Sequence, residues 1–61
     1  MAWFVCWGVK TRSGHCGAAC RVTDDLRELV RILEEKRNVV IGLDLYELSR
    51  AAVELCKASR Q

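Results

Sequence analysis

The chain has 61 residues, of which 51% are hydrophobic and 30% charged, and its formal net charge is +2. That length allows one domain with a core near the lower limit of self-sufficiency, and that composition excludes a disordered chain. The basic bias is local. Residues 1–23 hold Lys10, Arg12 and Arg21 and no acid, whereas residues 24–61 hold seven bases and eight acids.

Residues 2–22 read as a β-hairpin turning at Arg12-Ser13-Gly14-His15. With Ser13 and Gly14 as a two-residue loop, Val9 faces Ala18, Trp7 faces Cys20 and Val5 faces Val22. Strand alternation then gathers Trp3, Val5, Trp7, Val9, Ala18, Cys20 and Val22 on one face. Phe4, Cys6, Lys10, Arg12, Gly17, Ala19 and Arg21 take the other. The apolar face is the one to pack on helices. Gly8 and Gly17 leave the second face thinly covered, as where another group approaches the backbone or the ladder is weak.

A helix is expected over residues 24–37. Thr23 serves as its N-cap and Asp24 and Asp25 sit in a first turn that favours negative charge. Leu26, Leu29, Val30 and Leu33 form its apolar stripe, with Ile32 at the margin. Asn38 suits the left-handed residue that ends a helix. Residues 39–42, Val-Val-Ile-Gly, read as a short third strand. It is joined to the second strand by a right-handed crossover and therefore parallel to it; placed beside the first strand it gives the order 2-1-3, and the other edge of the sheet is equally open to it. A second helix is expected over residues 44–59, with Asp44 as N-cap, Glu47 completing a capping box and Leu43 stapled to Leu48. Leu45, Leu48, Ala51, Ala52, Leu55 and Cys56 form its apolar face, which Tyr46 and Val53 widen. The whole is a single domain, 1–61: a two-layer α+β fold, ββαβα, with a small sheet whose tryptophan face packs on two helices.

The four cysteines raise the question of disulfides. In the register above, Cys16 and Cys20 lie about 13 Å apart on one strand, beyond the roughly 7 Å limit for a bridge, and Cys6 points away from both. Cys16, Cys20 and Cys56 therefore read as small buried hydrophobes of a reducing compartment, with a Cys20–Cys56 contact across the core as the one conceivable pairing. Cys16-x3-Cys20 with His15 is the nearest approach to a zinc set, but a strand parts the two sulfurs too far to share an ion. No metal or cofactor is expected. The N-terminus lacks the basic region of a secretory signal, and no stretch approaches the roughly 20 apolar residues of a membrane span. The expected compartment is the cytoplasm.

Catalysis is not expected. No phosphate loop, nucleophile elbow or paired carboxylates are present, and His15 and Cys16, as strand neighbours, point apart. Protein binding is the favoured reading, in a small regulatory module that self-associates. Phe4, Cys6, Ile32, Tyr46 and Val53 are apolar beyond the needs of one small core, and the partner would be a second copy or another protein. The alternative is a nucleic-acid-binding module. Lys10, Arg12, His15 and Arg21 at the hairpin would hold phosphates, with Phe4 available to stack a base. A third reading, an engineered scaffold without biological activity, calls for an unusually high unfolding midpoint and no partner.

Overall fold

The computed structural model describes residues 2–59. The chain runs β1 (Trp3–Lys10), β2 (Cys16–Thr23), α1 (Leu26–Glu35), β3 (Val40–Gly42) and α2 (Leu45–Ala58). The strands form one sheet in the order β2-β1-β3. β1 is antiparallel to both neighbours, so β2 and β3, which flank it, run parallel to each other. The α+β class and the element order agree with the sequence reading, and of the two edges open to the third strand it takes the one beside β1.

The hairpin register differs from that reading by one residue, and much follows from the difference. Its loop has three residues, Arg12, Ser13 and Gly14. The Thr11 N–H donates to the His15 carbonyl at 2.9 Å and the Gly14 N–H to the Thr11 carbonyl at 3.0 Å. Gly14 sits at φ +89°, the left-handed position that closes a type I turn into this kind of hairpin. Side-chain oxygens hold the loop as well. Thr11 Oγ1 accepts the His15 N–H at 3.1 Å and lies 3.0 Å from Ser13 Oγ, which in turn lies 2.7 Å from His15 Nδ1. A two-residue loop with Ser13 first would put a serine where glycine or asparagine is wanted.

A one-residue slip exchanges partners and faces along a strand. Cys6 now stands opposite Cys20, Trp7 opposite Ala19, Val5 opposite Arg21 and Lys10 opposite Cys16. Cys6 and Cys20 are joined in a disulfide with their Cα atoms 4.1 Å apart, and Cys16 is joined to Cys56 of α2 with Cα atoms 5.8 Å apart. The expectation of reduced, unpaired cysteines is thereby corrected: none of the four is free.

The helices do not share the tryptophan face. Gly8 belongs to the face of Phe4, Cys6 and Cys20, and a Cβ on it would lie 2.6 Å from Cys56 Cβ and 2.8 Å from the Ala52 carbonyl of α2. A Cβ on Gly42, on the same face opposite Phe4, would meet Leu48 at 3.3 Å. So α2 covers the cysteine face, and small residues on both sides let it approach closely. α1 covers the other face, where Arg21 pairs with Glu28 and Lys36 lies over the Trp7 ring. The sheet thus lies between the helices, with the core at Val5, Cys6, Ile32, Ala52 and Cys56.

The caps explain where each helix begins. Asp25, not Thr23, caps α1, its carboxylate accepting the Arg27 N–H at 2.9 Å. Thr23 ends β2, buried, and its hydroxyl oxygen accepts the Asp25 N–H. Asp44 caps α2 as expected, accepting the Glu47 N–H at 3.1 Å. Leu43, the expected staple residue, is 64% exposed, and Leu48 packs on Gly42. Asn38 takes the left-handed conformation, at φ 56°, two residues beyond the Lys36 cap of α1.

Candidate protein-interaction surface

The five residues read from sequence as interface fall into three groups. Cys6 is fully buried in its disulfide and Ile32 is buried, so both are core side chains with no surface to offer. Phe4 is half-buried between Val22 and Gly42, its partners on the neighbouring strands. Tyr46 and Val53 lie on the flank of α2. Tyr46 is 69% exposed with the Arg50 guanidinium 5.7 Å from its ring centre, and half-buried Val53 lines a shallow depression with Ser49, Arg50 and Glu54.

An uncovered apolar stripe lies on α1, among residues the sequence pattern assigned to the core. Leu26 is 62% exposed, Val30 51% and Leu33 46%. Their spacing, i, i+4, i+7, aligns them along one side of the helix. The cause is how α1 is tethered. Glu28 is held towards β2 by the Arg21 guanidinium at 2.9 Å and by the Thr23 hydroxyl; these contacts, the threonine bond first, hold its carboxyl below the usual carboxylate range. At the other end Lys36 lies over Trp7, 5.4 Å from the ring centre. These tethers turn Glu28, Leu29 and Ile32 to the sheet. At about 100° per residue, Leu26, Val30 and Leu33 then lie roughly a third of a turn away. The strongly amphipathic helix buries only the edge of its apolar side.

The residues proposed for nucleic acid are dispersed. Arg21 is committed to Glu28 on the α1 face, and Lys10 shares a row with Cys16 on the α2 face. Arg12 is in the loop, and His15 is hydrogen-bonded to Ser13. Phe4 lies on the face that α2 covers and is not presented for stacking. The structure makes a different basic grouping instead: a cleft of about 330 Å³ beside the C-terminal end of α1 brings Lys10, Lys36, Arg37 and Glu35 around Trp7.

With Cys16 and Cys20 each bonded to another sulfur, neither offers a thiolate to a metal beside His15. Among the described residues no group of histidine, cysteine and carboxylate side chains converges as a metal set, and no helix is long and apolar enough to cross a membrane. The Ser13–His15 contact, on an exposed loop, is accounted for by turn geometry.

No protein-family model, curated protein or solved structure matches this chain.

Proposed function

We propose that this protein is a non-catalytic protein-binding module of a regulatory kind, and that the apolar flank of α1 is its contact surface. The observation that carries the reading is the exposure of Leu26, Val30 and Leu33 on a helix whose rotation is fixed by ion-pair and cation–π tethers. A contiguous apolar stripe left to water is costly unless a partner covers it. Tyr46 and Val53 on α2 offer a second, smaller apolar area. Two disulfides in so short a chain support an oxidising compartment in place of the cytoplasm.

Selection of a displayed random-peptide library against the immobilised, oxidised protein tests this. The reading expects apolar and aromatic peptides whose binding is lost with Val30→Glu. Peptides that bind the variant and the parent equally would contradict it.

A second reading rests on the cleft at Trp7. Lys10, Lys36 and Arg37 beside an indole are groups that hold phosphate and stack a base. On that reading single-stranded oligonucleotides quench the tryptophan fluorescence in low salt, and the effect fades as salt rises. No quenching in low salt would remove it.

A further inference from the structure

The proposed contact surface has a charge pattern that selects its occupant. Along α1 and its flanks the signs run Asp24 and Asp25 negative, Arg27 and Arg31 positive, Glu34 and Glu35 negative, Lys36 and Arg37 positive. Glu28 is spoken for by Arg21 and Lys36 by Trp7. Among the described residues neither Arg27 nor Glu34 has an ion-pair partner, and both are exposed on the solvent side next to the apolar stripe. Read backwards, the pattern is its own complement. Antiparallel placement of a second α1 about a centre near Val30 sets Leu26 beside Leu33 of the second copy and Arg27 within reach of its Glu34. The same placement brings Asp24 and Asp25 towards its Arg37. Parallel placement sets Arg27 against Arg27 and Glu34 against Glu34, like charge on like.

Resting on the protein-binding reading, we infer that the partner of this surface is a second copy of the chain, packed α1 against α1, antiparallel, about a two-fold axis at Val30. The arrangement is isologous, each side chain meeting its own symmetry partner or a complementary one. A helix of 10 residues spans only about 15 Å, so the dimer is of the small, weak class, with apolar contact at its centre and ion pairs at its rim.

Sedimentation equilibrium of the intact, oxidised chain in low salt tests the inference, with circular dichroism to check that each variant is folded. The wild type is expected to dimerise reversibly, and Val30→Glu to stay monomeric. Arg27→Glu and Glu34→Arg, each alone, are expected to weaken the dimer about tenfold, since each turns two attractive rim pairs into repulsive ones. The double variant R27E/E34R is expected to return to within about twofold of the wild type. A wild type that stays monomeric at every attainable concentration overturns the second copy as partner, while peptide capture that fails with Val30→Glu would leave the protein-binding reading standing. A dimer indifferent to Val30→Glu places the contact elsewhere. A dimer that Val30→Glu abolishes but the double variant does not restore rules out the antiparallel arrangement.

Discussion

The two helices of this small domain meet the sheet in opposite ways. α2 lies against glycine at Gly8 and Gly42, buries Ala52 and Cys56, and is cross-linked to β2 through Cys16. α1 buries Ile32 alone and is held by an exposed ion pair and a cation over an indole. One junction is made by close packing and a covalent bond, the other by polar tethers that set an orientation. A chain this short finds its stability on the α2 side and leaves apolar side chains uncovered on the α1 side. The core on the α2 side, reinforced by disulfides, leaves the apolar flank of α1 without a structural duty inside the monomer.

The largest effect expected on the α2 side is loss of its cross-link. The disulfide closes a sequence separation of 40 residues, for which chain entropy gives about 4 kcal/mol; a domain of this size has little more than that to lose. The C16S/C56S variant should be largely unfolded, or nearly so, in urea titrations followed by circular dichroism. Next comes Gly8→Ala, whose methyl would fall among backbone and Cβ atoms that cannot rotate away. A loss of about 1–3 kcal/mol is expected from overpacking. On the α1 side the contrast should appear within one helix. Ile32→Ala should cost about 2–3 kcal/mol as a buried truncation, whereas Val30→Gln should change monomer stability by less than about 0.5 kcal/mol. Equal costs at 30 and 32 would mean the flank is covered within the monomer.

The smallest effect concerns Glu28. Its pKa is lowered in the folded state by the Thr23 hydroxyl and the Arg21 guanidinium. A carboxyl so depressed contributes stability above its unfolded pKa and loses it as pH falls through the folded value. Thermal melts should therefore separate wild type from Glu28→Gln at neutral pH and converge under acid conditions. A gap that persists at the acid end would show that the glutamine disturbs packing instead.

Much of the fold could be read from local signals. Asp44 with Glu47, Asn38 after α1, and a short β-branched run between two helical patterns each carry their own physical cause, and together they set the element order; which edge of the sheet takes the third strand is a long-range choice that no local signal carries. The hairpin register could not be read with the same security, because Ser13-Gly14 fits a two-residue loop by spacing and a three-residue loop by conformation. Gly14 was the deciding signal, since serine is unfavourable at the first position of the shorter loop while glycine suits the last of the longer. That one residue concealed both disulfides and sent the helices to the wrong shared face. It also hid the reason for Gly8, which is the close approach of α2.

The candidate site was less legible for a different reason. Periodicity marks which side of α1 is apolar but not which part of that side the sheet covers. The rotation is set by Arg21, Thr23 and Lys36, whose partners lie seven residues or more away in sequence or on another element. Ile32, at the edge of the pattern, is therefore the buried residue, while Val30 and Leu33, nearer its centre, face solvent.

Native-state amide hydrogen exchange tests the contrast between the helices most directly. Amides of β1 and α2 are expected to exchange only through global unfolding, while those of α1 open locally at a clearly lower free energy, outside conditions in which the chain self-associates. Equal protection in α1 and α2 at concentrations where the chain is monomeric would contradict this, because the flank of α1 would then belong to the monomer's own core.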